Sequence, residues 1–166
     1  PSLGGFVCSV TTAKGELWKL GQLHPGDKVH FQFLTLEQAE KIRKDEEKNI
    51  NLEYTKVLLP EPAKLDASYA VLAEGVHDNT KYKVRLQGEE NILVEYGEME
   101  LNIELRFRVH ILMQEIEKKN LPIIDMTPGI RSLQIHFDVD RISAREMSKE
   151  VEKINSVLTE LEDITV

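Results

Sequence analysis

The residues best suited to chemistry in this sequence crowd one turn, in the stretch DMTPGIRSLQIHFD at residues 125–138. Pro128-Gly129 reverses the chain, and Arg131 and Ser132 follow at once, a guanidinium fork and a hydroxyl. Such donors side by side can hold an anion or a polar carbonyl compound in one orientation. Arg131 shares strand parity with Leu133, which turns its guanidinium toward the core side unless the strand starts with a bulge. A cation placed there requires an acceptor, because an unpaired buried charge costs several kcal/mol. Asp125 and Glu95 are the carboxylates at hand. The turn is either a corner that holds a ligand or a hairpin corner closed by a structural ion pair, and the residues by themselves lean to the ion pair.

Other candidates carry less. Paired glycines at Gly4-Gly5 permit positive φ and close approach of backbone to a ligand, though turn geometry explains them equally well. Cys8 lies amid Val7, Ser9 and Val10 with no base nearby and reads as an inert thiol. His24, His30, His77, His110 and His136 show neither HxxxH nor HExxH spacing, so no metal centre is expected. His136 shares parity with Ser132 and Gln134, which a polar sheet face explains. Neither GxxxxGK[ST], GxGxxG nor GxSxG occurs.

The elements that must position these residues differ between the two halves. HPGDKVHFQFL pairs a turn with alternating Val29, Phe31 and Phe33, a half-buried strand, and GGFVCSVTT reads as another. Thr35 and Gln38 have capping-box spacing ahead of a short helix that ends in the charged run KIRKDEEK. VLLPEPAKLD, with two prolines, predicts an extended spacer and a domain boundary. Beyond it, Tyr82–Leu86 and NILVEYG form a hairpin. Leu101–Lys119 follows as a helix with Leu101, Leu105, Val109, Leu112 and Ile116 on one stripe. Leu121–Met126 and Ile130–Phe137 make a second hairpin, and Ser143 with Glu146 caps a last helix. The order ββαββα predicts an α+β domain with a four-stranded antiparallel sheet and two helices on one face.

Composition sets the outer bounds. At 41% hydrophobic and 30% charged residues the chain is globular, and a net charge of −8 argues against nucleic acid. No apolar run approaches the roughly 20 residues of a membrane span. A lone cysteine fits a reducing compartment, so a cytoplasmic location is expected. The opening PSLGGF lacks Met and reads as a piece of something longer.

Two stretches resemble a known family. PSLGGFVCSVTTAKGELWKLGQLHPGDKVHF, through GGF, ELWK and GQLHPGDKV, resembles the C-terminal part of the subunit-2 (KipA-like) proteins of the allophanate-hydrolase and 5-oxoprolinase group. ENILVEYGEMELNIELRFRVHILMQEIEKKNLPIIDMTPGIRSLQIHFD, through RVH and PGIRSL, resembles the N-terminal domain of the subunit-1 (KipI-like) proteins. The resemblance implies that residues 1–56 end a cyclophilin-like β-barrel, that 57–66 link, and that 67–166 form the KipI-like α+β domain. An unclosed barrel leaves unpaired edges, so the N-terminal third is expected to be unstable, swapped or propped by another chain.

Subunit 2 ahead of subunit 1 on one polypeptide is the order in the carboxyltransferase region of biotin-dependent urea carboxylases, urea amidolyases included. The resemblance thus implies transfer of the carboxyl group of carboxybiotin to urea, giving allophanate. Biotin would arrive on the carboxyl carrier domain, and ATP and Mg would serve the biotin carboxylase domain. None of these would be bound by this segment, which alone would be inactive. A homo-oligomer is compatible with all of this. The site implied has Arg131 and Ser132 as catalytic residues and Gly4, Gly5, Gly129 and Tyr96 as substrate-binding ones, with Gly4 and Gly5 opposite the Arg131 corner. The chain carries Ser9 where the group has proline and Asn102 where it usually has an acid, which weakens an acid–base role near Tyr96. Two rival readings are a 5-oxoprolinase component and a non-catalytic KipI-like module that inhibits a histidine kinase by binding it.

Overall fold

The computed structural model describes residues 10–52, 56 and 58–158, which divide into two compact units, residues 1–66 and 67–166. Gly4, Gly5 and Cys8 lie outside the described residues.

The described part of the first unit is helical. A 3-10 turn, Lys14–Glu16, leads into the single helical turn α1, Leu17–Leu20, and α2 spans Leu36–Ile50. The capping box at its start forms as read: Gln38 N donates to Thr35 Oγ1 at 3.2 Å, and Thr35 N donates to the Gln38 side chain at 2.8 Å. Leu36, Ala39 and Ile42 turn inward, and Gly15 lies against this helix. The strand expected at Val29–Phe33 is absent among the described residues, and no other strand occurs there in this unit. Phe31 is 73% exposed, since no described residue forms a neighbouring strand to make a ladder with the segment or to bury its alternate side chains. Its contacts are local, with Ala63 N donating to the Phe33 carbonyl at 2.8 Å and the Gln32 amide donating to the Pro60 carbonyl at 3.2 Å.

The second unit is an α+β sandwich whose sheet has five strands, one more than the sequence predicts. β1 (Val71–His77), β2 (Thr80–Leu86) and β3 (Asn91–Tyr96) precede α3 (Ile103–Glu117). β4 (Ile123–Pro128) and β5 (Ser132–Phe137) precede α4 (Ala144–Asn155). Every neighbouring pair is antiparallel, in the order β1-β2-β3-β5-β4. The unpredicted strand is β1. Its alternation is broken by a bulge between Val71 and Ala73 and diluted by Gly75, a weak strand former. The Tyr82 ring packs onto the bare face of Gly75, where a Cβ would come 2.9 Å from it. The β1–β2 turn places Asp78 and Asn79 at φ of 47° and 53°, the positive values of a two-residue hairpin turn.

Both helices cover one face, as their stripes require. Leu105, Val109, Leu112 and Ile116 of α3 are buried, with Met147, Val151 and Ile154 of α4 and Val84, Ile92, Val94, Leu133 and Ile135 of the sheet. Val94 pairs with Leu133 and Ile92 with Ile135, so the apolar face is continuous across β3 and β5. α3 begins two residues later than predicted: Asn102 caps it by accepting from Glu104 N at 2.8 Å, leaving Leu101 outside and exposed. α4 keeps its predicted capping box, with Glu146 N donating to Ser143 Oγ at 3.3 Å.

Candidate functional site on the open face of the sheet

The face of the sheet away from the helices carries the polar alternates of each strand. On β3, Glu95 stands between buried Val94 and Tyr96, and on β5, Ser132, Gln134 and His136 alternate with buried Leu133, Ile135 and Phe137. Register sets Glu95 opposite Ser132 on one side and opposite Lys83 on the other. The carboxylate of Glu95 therefore comes within reach of the corner that precedes β5.

Three features build that corner. Gly129 N donates to the Ser132 carbonyl at 2.7 Å, closing the turn. A Cβ on Gly129 would lie 2.7 Å from Ser132 Oγ, so only glycine lets the hydroxyl sit where it does. Tyr96 N donates to the Arg131 carbonyl at 2.8 Å, which extends the β3–β5 ladder one step into the bend.

The Arg131 guanidinium reaches the open face, not the core side that strand parity predicts. Arg131 sits in the bend before β5, where alternation does not yet govern its side chain. Its Nη2 donates to Glu95 Oε1 at 2.9 Å and its Nη1 to the Tyr96 carbonyl at 3.3 Å. Glu95, not Asp125, is thus the acceptor, and its other oxygen, Oε2, takes a 2.6 Å bond from Arg85 Nε. Arg131 and Glu95 are largely shielded, at 18% and 19% side-chain exposure, whereas Arg85 is 40% exposed. Shielding strengthens such charge-assisted bonds relative to fully solvated pairs.

Arg131, Glu95 and Arg85 line an open concavity of about 670 Å³, whose lining does not include Gly129 or Ser132. Lys83, paired with Glu74 at 3.2 Å, and Lys81, near Glu98 at 3.7 Å, complete its charged wall, and Val76 and Met99 form an apolar part. No group of three or more His, Cys, Asp or Glu side chains suited to a metal occurs among the described residues.

Tyr96 belongs to the opposite side. It is 1% exposed, and its hydroxyl donates to Asn155 Oδ1 at 2.6 Å beneath the helices. Burial holds its phenol well above the ordinary value near 10, an effect the neighbouring Arg108 partly offsets. The Arg108 guanidinium lies 5.9 Å from the Tyr96 ring centre, itself buried and bound to Asp78 at 2.6 Å and to His77 Nδ1 at 3.2 Å. The backbone of Tyr96 meets the Arg131 corner while its side chain does not.

Sequence reasoning singled out the corner and named Glu95 as an acceptor, but missed Arg85, Arg108 and Asn155. Arg85 was legible only as a polar alternate of β2, although its strand lies beside that of Glu95 and a diagonal pair is within reach of a long side chain. Arg108 stood in the RVH string of the resemblance but without a role, and Asn155 gave no signal, since a polar residue on a helix reads as solvent-facing until the packing is known.

The family described as carboxyltransferase domain, subdomain C and D, matches residues 82–164, and carboxyltransferase domain, subdomain A and B, matches residues 1–33. Urea amidolyase of Saccharomyces cerevisiae is 34% identical over 156 residues, covering 90% of this chain and 8% of that protein. The crystal structure of the K. lactis urea amidolyase superposes with a TM-score of 0.72 at 28% identity, over 89% of this chain and 9% of that one. The Kluyveromyces lactis urea carboxylase structure does so with a TM-score of 0.71 at 28% identity, over 89% of this chain and 14% of that one. The chain thus spans about 8% of the length of the first curated relative it matches.

Proposed function

The chain belongs to the family of carboxyltransferase domains, subdomain C and D, and from that premise we propose that it works within a biotin-dependent urea carboxylase, in the transfer of a carboxyl group from carboxybiotin to urea. The supporting observation is the order of the matches: subdomain A and B at residues 1–33, then C and D at 82–164, collinear with a urea amidolyase over 156 residues. Biotin carboxylation, with its ATP and Mg, falls to another part of the enzyme, and biotin is brought by a carrier domain. The 166 residues alone are expected to transfer nothing.

The transfer breaks the N–C bond of carboxybiotin, makes an N–C bond from a urea nitrogen to the same carbon, and leaves the urea proton on biotin; the product is allophanate. Urea is neutral and a poor nucleophile, so the protein must contribute orientation and stabilisation of developing charge. Arg131 suits that task because Glu95 and the Tyr96 carbonyl fix its plane before any ligand arrives. Ser132 Oγ, seated against Gly129, adds a hydroxyl beside it. Tyr96 acts as a positioning residue whose backbone holds the corner. Gly4 and Gly5 keep their proposed part in binding substrate.

The test uses the full enzyme that contains this chain, assayed for urea-dependent ATP cleavage before and after Arg131→Ala. Carboxylation of free biotin serves as the control. Removing one preorganised donor is expected to lower the urea-dependent rate by about 10²-fold with the control intact. An unchanged rate would return the corner to a purely structural role.

A further inference from the structure

We propose that Arg85 and Arg131, held on the two oxygens of Glu95, form a carboxylate-binding site on the open face of the sheet. The inference starts from donors that the fold leaves unspent. Arg85 uses its Nε on Glu95 and makes no other hydrogen bond to a described residue, so its Nη1–Nη2 edge is free. That edge takes a planar carboxylate through two parallel N–H···O bonds. Arg131 spends its two terminal nitrogens on Glu95 and Tyr96 and keeps Nε.

Charge points the same way. Two guanidiniums against one carboxylate leave one positive charge uncancelled, whereas Lys83 and Lys81 in the same concavity are each matched, by Glu74 and Glu98. The surplus is thus localised at the arginines, in a chain whose net charge is −8. Glu95 does not compete for the ligand: its two oxygens are already engaged, and it fixes both forks in place, which spares a ligand the cost of ordering them. The concavity, about 670 Å³, is of small-molecule size, with Val76 and Met99 to receive an apolar body.

The carboxyl-transfer reading bears only on which carboxylate binds. The transferred group ends as the carboxylate of allophanate, while acetate offers the same group without a urea moiety. The experiment titrates the full chain with each in turn and follows the arginine Nε–H resonances by NMR. The Arg85 and Arg131 signals are expected to move together to saturation. Arg85→Lys, which keeps the charge and the pairing to Glu95 but loses the fork, is expected to raise Kd at least tenfold. Tighter binding of allophanate than of acetate by tenfold or more assigns the site to the transfer product, and equal affinities assign it to a bare carboxylate; either supports the site. No saturation with either compound, or the same Kd in a folded Arg85→Lys variant, overturns it. The two proposals fail separately. Saturable binding in an enzyme whose ATP cleavage ignores urea would sink the carboxyl-transfer reading alone. A urea-dependent rate lost in Arg131→Ala without saturable binding would sink the clamp alone.

Discussion

The Tyr96 hydroxyl donates to Asn155 Oδ1 at 2.6 Å, tying the third strand to the last residue of α4 through the middle of the core. Both side chains are 1% exposed, so neither has water to fall back on. Tyr96→Phe keeps the ring and strands the Asn155 carbonyl, whose Nδ2 already lacks a partner among the described residues. The expected loss is about 1–3 kcal/mol in guanidinium denaturation of the second unit. The corner at Arg131 would loosen too if the backbone of β3 shifts with it.

The same tyrosine gives the fold an alkaline limit. Burial raises the Tyr96 phenol above its unfolded value near 10, so the native state holds that proton more tightly than the unfolded chain does. Its contribution is complete below about pH 10 and is lost as pH rises, at about 1.4 kcal/mol per pH unit. Tyr82, raised by burial and by Glu152, adds in the same direction. The stability gap between wild type and Tyr96→Phe should therefore narrow between about pH 10 and 11.5, measured by denaturation at fixed salt. A constant gap would mean that Tyr96 does not ionise on unfolding in that window.

Arg108 clasps the β1–β2 turn to α3 through Asp78 at 2.6 Å. Arg108 is buried whereas Asp78 is a third exposed, so the pair is unequal. Asp78→Asn leaves the guanidinium buried beside a neutral amide and should cost about 2 kcal/mol. Adding Arg108→Met removes the stranded charge and should restore much of the loss, a non-additivity that a double-mutant cycle reads directly.

In the first unit Gly15 packs tightly against α2. A Cβ there would come 2.9 Å from Arg43 N and 3.0 Å from Arg43 Cα, both backbone atoms that a side-chain rotation cannot move aside. Gly15→Ala should therefore push α2 away and destabilise this unit by about 1–3 kcal/mol, seen as faster amide exchange in Leu36–Ile50. Exchange in β3 and β5 serves as the internal reference.

The sequence by itself determined the parts whose signals are local. Both capping boxes, the stripe of α3 from Leu105 onward and the alternation of β3 and β5 follow from the spacing of a few residues, and each forms where the spacing places it, with Leu101 alone left outside its helix. Pro128-Gly129 likewise announces the corner, and the resemblance carried by PGIRSL points to the carboxyltransferase family that the comparison matches. Tertiary structure decided what depends on neighbours. Val29, Phe31 and Phe33 alternate like a strand, yet a ladder needs a second backbone, and with none beside them among the described residues they stay exposed. β1 hid behind a bulge and a glycine but forms because β2 offers it an edge. Arg131 escaped its parity because a bend precedes the strand. Its meeting with Arg85 on one carboxylate required β2, β3 and β5 to be set side by side, a relation between residues 85, 95 and 131 that no local spacing encodes.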